Sequence, residues 1–446
     1  MCYNLVTSMI DPEQQREFAL DVVRQLRTAG FEAYWAGGCV RDELLGRKPK
    51  DYDVATNAIP PEVRALFGHK RTLPLGAAFG VITVLGPRPA GMIEVATFRH
   101  DAEYSDGRHP DRVTFSSARE DAARRDFTIN GMFFDPINGQ VIDFVAGQED
   151  LQRRLIRAIG SPRLRFGEDK LRMLRAVRFA AMFGFTIDAE TAAAIREMAH
   201  EITVVSPERI AMEMRRVLTE TGRMQGVRLL VELGLAAAVL PEIVARDETR
   251  QARAEHALGV LGRLQDPNFP LALAALLAEE ADATTIREVG LRWKLSNQET
   301  DEAAWLVSHR DALAGARFMS WSKLQPLLAH PWAESLVALH EASSPYGPDE
   351  AAYCREWLAQ PREKLDPPPL LTGDDLRRHG LQPGPKFKKI LQTVRDAQLD
   401  AVIQTPEEAL SLVMKMNEID PILIKHSHNI HHSQESCRGQ ESKEAD

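Results

Sequence analysis

The period of the apolar positions changes along the chain, and those changes divide it. Phe18, Val22 and Leu26 recur on one helical face behind Asp11 and Pro12, which predicts a capped helix over residues 11–29 that covers a sheet. Tyr34, Trp35 and Ala36 then read as a strand entering Gly37 and Gly38, followed by a short helical run over 40–45 that stops at Gly46. A basic turn (Arg47, Lys48, Lys50) leads into Asp51-Tyr52-Asp53-Val54, which reads as a new strand. Residues 59–67 form a proline-started helix, and the β-branched runs at 81–86 and 92–98 predict two strands joined by a proline-rich turn. Residues 99–117 are polar with no period and predict a loop; 129–135 predict a strand, and 147–151 a turn.

Further on the pattern is helical. Leu171, Leu174, Val177 and Ala181 make an apolar stripe, while Asp169, Arg172, Arg175 and Arg178 step by three along another face. From 220 onward amphipathic helices follow one another, with a proline-rich linker at 357–371. Residues 426–446 are polar, lack a period and are expected to be disordered, their histidines being at most adventitious metal ligands. The pattern gives an α+β fold: a head with a small mixed β-sheet and flanking helices, then an all-α remainder.

Length and charge alter this picture in two ways. A chain of 446 residues exceeds one ordinary core, so roughly two to four domains are expected. The net charge of −9 argues against a surface coated in nucleic acid, yet residues 151–178 hold nine Lys or Arg against two acids. A basic face on an acidic protein results. No apolar run reaches the ~18 residues of a membrane span, and the start lacks a basic-then-apolar signal segment. Cys2, Cys39, Cys354 and Cys437 lie far apart without metal-type spacing, for which reduced thiols in a cytoplasm are the simplest account.

The chemistry concentrates at 35–56. Adjacent Gly37 and Gly38 let backbone N–H groups approach a polyanion, the helix start behind them favours negative charge, and Arg41 offers a fork of donors to phosphate. Asp51 and Asp53, at i and i+2, can converge on one place, and two carboxylates beside a phosphate turn suit Mg²⁺. Glu94 alternates with Ile93 and Val95; alone it reads as a solvated strand face, and with the aspartate pair a third metal ligand is the better reading. Arg125 and Asp126 can fix a ribose, the acid accepting from hydroxyls and the guanidinium donating; surface ion pairing is the plainer alternative. His100, Asp101 and His109 have no convincing metal spacing and read as solvated loop residues. Lys386, Lys388 and Lys389 fit RNA phosphate contact and a solvated lysine cluster equally well.

These motifs resemble the class II tRNA nucleotidyltransferase and bacterial poly(A) polymerase family, within the DNA polymerase beta-like nucleotidyltransferases. The family pattern GGxVRDxLLG followed by DxDVAT is present in full at 37–56. The resemblance is strong over roughly 20–240 and weaker over 370–410. It implies a nucleotidyltransferase head over 1–150, a helical neck over 151–220, a body over 221–350 and an RNA-binding tail over 351–425. It implies that Gly37, Gly38 and Arg41 hold the triphosphate, that Asp51, Asp53 and Glu94 carry two Mg²⁺ ions, and that Arg125 and Asp126 select ribose.

The substrates would be CTP and ATP, and the partner tRNA or another RNA 3′ end. Asp169 and Arg172, within the family's EDxxR motif, would read the pairing edge that CTP and ATP share, an amino donor beside a ring-nitrogen acceptor. Arg175 and Arg178 continue that line of donors. SPERIAMEM at 206–214 matches the family's last motif. Lys170 stands where the motif usually has proline, and Gly131 where it has alanine. The loop at 99–117 matches a mobile loop that enzymes adding only CC tend to lack, and Gly76-Ala77-Ala78-Phe79-Gly80 is closer to the tRNA enzymes than to poly(A) polymerases. Poly(A) addition, A addition alone, and a non-catalytic RNA-binding scaffold remain the alternatives. No paired His and Asp of a phosphohydrolase module occur near 271–280.

Overall fold

The computed structural model describes residues 10–101, 113–245, 247–344 and 347–419. The chain divides into two compact units between Ser308 and His309, inside the stretch 221–350 that the sequence reading treats as one body. The segment at 426–446 and His109 lie outside the described residues.

The first unit opens with α1, Pro12–Thr28, whose N-cap Asp11 accepts from the backbone N–H of Glu13 and Gln14. Its stripe of Phe18, Val22 and Leu26 is buried and packs on the sheet as the spacing predicts. The strands in chain order are β1 Ala33–Ala36, β2 Asp53–Thr56, β3 Thr72–Gly76, β4 Val81–Leu85, β5 Met92–Thr97, β6 Arg99–Asp101, β7 Val113–Phe115, β8 Phe133–Asp135 and β9 Gln140–Ile142. Seven of them form one sheet in the order β3-β4-β5-β2-β1-β8-β9. The β2–β5 pair is parallel and the other ladders antiparallel, so the sheet is mixed. Between β1 and β2 lies α2, Gly38–Leu44; between β2 and β3 lies α3, Pro60–Phe67.

Three local expectations need correction. The polar stretch at 99–117 is not loop throughout: β6 and β7 close its ends as a ladder, with Arg99 opposite Phe115 and Asp101 opposite Val113. The strand expected over 129–135 is confined to β8. Before it come α4, Ala118–Ala123, and a 3₁₀ turn, Thr128–Asn130. Asp126 accepts from the Phe127 N–H and the Asn130 side chain, local bonds that favour a turn over a ladder. The turn expected at 147–151 is a helix, α5, Gly147–Gln152, because Asp143 accepts from the N–H groups of Gly147 and Gln148 at its start.

The basic stretch folds as two helices. α6, Pro162–Glu168, and α7, Leu171–Phe183, are separated at Asp169, whose φ of −149° is extended. α8, Ala189–Met198, and α9, Pro207–Thr219, follow, and α9 packs along α7. Further helices run to Asn297–Ser308, with Phe269–Leu277 buried along its whole length. The second unit is helical with its own apolar cluster, including Leu371, Leu376, Ile390, Val394 and Val413.

Candidate active site

Sheet and neck helices of the first unit enclose a cleft of about 900 Å³. It collects most of the residues singled out above: Gly37, Gly38, Arg41, Asp51, Asp53, Arg125, Asp126, Asp169, Arg172, Arg175 and Arg178. Glu94 is not among the lining residues. Lys386, Lys388 and Lys389 stand exposed on the helix Pro385–Leu399 of the second unit.

β1 ends where the chain must turn sharply, and Gly37 takes φ 71°, ψ −122°, a conformation that side chains disfavour. A Cβ there would also sit 2.8 Å from Arg125 Nη1, so the glycine leaves room for a guanidinium. Arg41 does not project freely from the first turn of α2. It is buried, donating through Nη1 to Asn130 Oδ1 at 2.6 Å and through Nε and Nη2 to Asp42 at 2.9 and 2.7 Å. Its plane also lies over the Phe183 ring, 4.7 Å from the centroid.

Asp53 opens β2, and Asp51 precedes the strand instead of lying in it. Asp53 stands in register with Glu94 on the parallel neighbour β5. Asp53 keeps an exposed edge on the cleft, yet the protein packed round it, then the charges of Asp51 and Glu94, push its carboxyl up to about 6, while Arg125 pulls the other way. Among the described residues, none of Asp51, Asp53 and Glu94 is held by a side-chain hydrogen bond or ion pair. Crowded, uncompensated carboxylates are what a divalent cation relieves, and the Asp51–Asp53 pair fits an ion that takes few protein oxygens. Among the described residues no group of three or more His, Cys, Asp or Glu closes into a ready-made metal cage. Glu94, exposed on its strand, is beside the pair by register only.

The arginines are not a solvated basic face, nor a row of free donors. Arg125, Arg172, Arg175 and Arg178 are each matched to an acid. The neighbours Arg125 and Asp126 do not pair with each other. Arg125 donates from Nε and Nη2 to Asp121 Oδ2 at 3.2 and 3.0 Å, while Asp126 receives Arg175 Nε and Nη2 at 2.9 and 2.6 Å. Burial alone would raise the Asp126 carboxyl, but Arg175 and the bonds from Asn130 and Phe127 hold it at about 2. Arg178 is buried and donates to Glu213 at 2.6 Å. Arg172 Nη1 is bound by Glu168 and by the Arg165 carbonyl.

Asp169 occupies the break before α7, not the helix face that the spacing suggested, and Arg209 of α9 grips both its oxygens at 3.2 and 2.7 Å. Sequence reasoning missed Arg209, Glu213, Asp121 and Asn130. All four act on other side chains across the fold; the signals available were the SPERIAMEM motif, which holds Arg209 and Glu213 without assigning them a role, and their i and i+4 places on one helix face. Asn130 is a hub, accepting from Arg41 and donating to Asp126.

A mixed sheet bearing a glycine turn and two bare carboxylates, faced by a helix of arginines, defines a nucleotidyltransferase-type head. Residues 33–157 match the family described as poly A polymerase head domain, and 184–246 match that described as probable RNA and SrmB-binding site of polymerase A. The chain is 35% identical over 398 residues to the CCA-adding enzyme of Geobacillus kaustophilus (strain HTA426), covering 88% of this chain and 95% of that one. It is 34% identical over 410 residues to the CCA-adding enzyme of Lactococcus lactis subsp. cremoris (strain MG1363), covering 90% and 97%. The crystal structure of the Bacillus stearothermophilus CCA-adding enzyme in complex with CTP superposes with a TM-score of 0.76 at 30% identity, over 93% of this chain and 100% of that one. This chain belongs to the CCA-adding enzyme family.

Proposed function

We propose that the chain is a template-independent RNA nucleotidyltransferase that adds CMP and AMP, from CTP and ATP, to the 3′ end of tRNA as CCA addition or repair. The observation that carries this reading is the cleft itself, where a bare carboxylate pair faces a wall of guanidinium–carboxylate pairs. The RNA 3′-hydroxyl attacks the α-phosphate in line and pyrophosphate leaves. Asp51 and Asp53, with Glu94 beside them, would hold two Mg²⁺ ions, which when bound lower the hydroxyl's pKa and steady the leaving oxygens.

The protein's own share is positioning. Gly37 and Gly38 bring backbone N–H groups to the triphosphate, and Arg41, braced by Asp42 and Asn130, donates from one side. Asp126 and Arg175 form one fixed unit at the ribose. Asp169 reads the amino group of cytosine or adenine: Arg209 takes one lone pair on each oxygen and the Leu171 N–H a second on Oδ1, which leaves one of the carboxylate's roughly four on Oδ2. Arg172 has Nε–H to spare, because its bonds to Glu168 and to the Arg165 and Arg124 carbonyls use only Nη1 and Nη2. UTP and GTP present a carbonyl beside a ring N–H, so both contacts would be mismatched.

Lys386, Lys388 and Lys389 are assigned to RNA phosphates; head, neck and tail keep the ranges given above, while the body at 221–350 is cut between Ser308 and His309. A cytoplasmic setting is part of the same reading, supported by the free, buried thiols of Cys39 and Cys354. The test is to offer tRNA ending before CCA, after C and after CC, with each nucleotide alone, and to size the products. Addition of C, C and A in turn is expected; long A tails, A addition alone or no extension would each replace this reading.

A further inference from the structure

The cations of the cleft fall into two sets. Arg41, Arg124, Arg125, Arg172, Arg175, Arg178 and Arg209 each face an acid: Asp42, Asp121 (shared by two), Glu168, Asp126, Glu213 and Asp169. Pairing leaves their N–H donors in place but, with six acids to seven arginines, cancels all but one of their charges. Arg47, Lys48, Lys50 and Arg216 line the same cleft and are exposed, and among the described residues their side chains form no ion pair or hydrogen bond. Most of the uncompensated positive charge of the site therefore sits on these four, with one more where Arg124 and Arg125 share Asp121.

Two of them mark one end of the cleft. Arg47 lies over the Phe183 ring at 5.0 Å from its centroid, sharing that ring with Arg41. Phe183 is the last residue of α7. Arg216 is the next residue along the cleft face of α9 after Arg209 and Glu213, which meet Asp169 and Arg178, so α9 climbs α7 toward the same end. Gly222 fixes that approach, since a Cβ on it would lie 1.9 Å from the Ala181 carbonyl oxygen. Asp169 precedes the opposite end of α7, roughly 20 Å away at the helical rise. Met182 and Thr221 complete the lining, together with Glu220, which is not ion-paired to Arg216.

We propose that Arg47, Arg216 and the Phe183 face form a subsite for the terminal phosphodiesters of the acceptor RNA, separate from the paired arginines that position the nucleotide. The inference rests on the nucleotidyltransferase reading above. A triphosphate held for in-line attack needs donors fixed in advance, and the buried pairs supply them. An RNA end arrives from solvent and moves by one nucleotide after each addition. Exposed cations free of fixed partners suit that, and the exposed Arg47 guanidinium, backed by the Phe183 ring, offers a plane on which a base stacks whatever its identity.

The test is equilibrium binding of tRNA lacking its terminal CCA to the full chain across a salt series, for wild type, Arg47→Gln, Arg216→Gln, the double variant and Arg216→Lys. Each lost contact should reduce the slope of log affinity against log salt by about 0.7, the single-strand value, and the lysine should restore it. KM for CTP and ATP, and inhibition by pyrophosphate, should stay at the wild-type value. Unchanged salt slopes overturn the subsite. So do slopes that hold while KM for both nucleotides rises and pyrophosphate inhibition weakens, because the phosphate bound there is then the triphosphate's. Wild-type extension of the same tRNA is measured separately: its absence overturns the catalytic reading, while the slopes still decide the subsite.

Discussion

Asp53 is placed where its charge is costly without metal. Its carboxyl, at about 6 in the fold, binds a proton more tightly than the ordinary aspartate at 3.8 in the unfolded chain. Between those values the folded state holds more protons, so stability falls as pH rises through the window and stays lower above it. Asp53→Asn removes that loss. The metal-free variant should therefore melt higher than wild type at pH 7, lack the slope between pH 4 and 6, and gain less from added Mg²⁺. Its turnover should fall by roughly 100-fold or more, the scale for losing a charge-stabilising group. Thermal melts in chelator from pH 4 to 7 decide it; a variant that melts lower than wild type at pH 7 would show that the carboxylates are not crowded. The base-reading pair gives a second test. If Asp169 recognises the amino group, and Arg209 only aims it, then Asp169→Ala and Arg209→Ala should both relax the choice of CTP and ATP over UTP and GTP, by about 1–3 kcal/mol for a full contact pair. Simple loss of charge predicts that all four nucleotides weaken together, so incorporation of each nucleotide alone separates the outcomes.

At the scale of elements, what could be read in advance was local. The α1 stripe, the β4 and β5 runs and the glycine turn follow from period and steric rules within a few residues, and the structure has them, whereas Asp51 falls just before the strand that was to carry it beside Asp53. What escaped was set by partners distant in sequence. Arg125 looked like the mate of Asp126 because they are adjacent, yet each found its partner elsewhere, the nearer being Asp121 and the farther Arg175. Asp169 looked helical by spacing, but the chain breaks there and Arg209 holds it. Gly131 shows the same limit. Family resemblance expects alanine, and a methyl group reads as harmless in sequence. Here its Cβ would lie 2.7 Å from Val145 Cγ2 and 2.9 Å from Ile159 Cδ1. Gly131→Ala should destabilise by about 1–3 kcal/mol, the usual cost of overpacking. Adding Val145→Ala should recover part of that loss, while Val145→Ala alone should destabilise. Additive losses in the double variant, measured by denaturant melts, would place the strain somewhere other than Val145.

At the scale of the whole chain, the division at Ser308 and His309 relocates the cut that separates nucleotide chemistry from the tail. The linker composition suggests cutting at 366, but that position is inside the second unit. Asp366 accepts from Gln325 Nε2 at 2.9 Å and from Arg395 Nη2 at 2.8 Å, and Asp400 accepts from the Ser322 backbone N–H at 2.8 Å. The helix Trp321–Leu328 packs on Pro385–Leu399, and the apolar cluster of this unit lies almost wholly beyond the cut. Ending the chain at 365 therefore strips residues 309–365 of their partners and exposes apolar surface. Ending it at 308 leaves the cleft, with every acid that pairs its arginines, inside one compact unit. The fragment ending at 308 should melt cooperatively, bind CTP and ATP within about twofold of the full chain and keep its choice among nucleotides. It should lose affinity for tRNA by about tenfold or more, the weight of one to two phosphate contacts at moderate salt. The fragment ending at 365 should bind dyes that report exposed apolar surface and aggregate more readily. Melting curves, nucleotide titrations and tRNA titrations on the two fragments test this directly. Full tRNA affinity in the shorter fragment would mean that the second unit, with Lys386, Lys388 and Lys389, has no part in holding RNA.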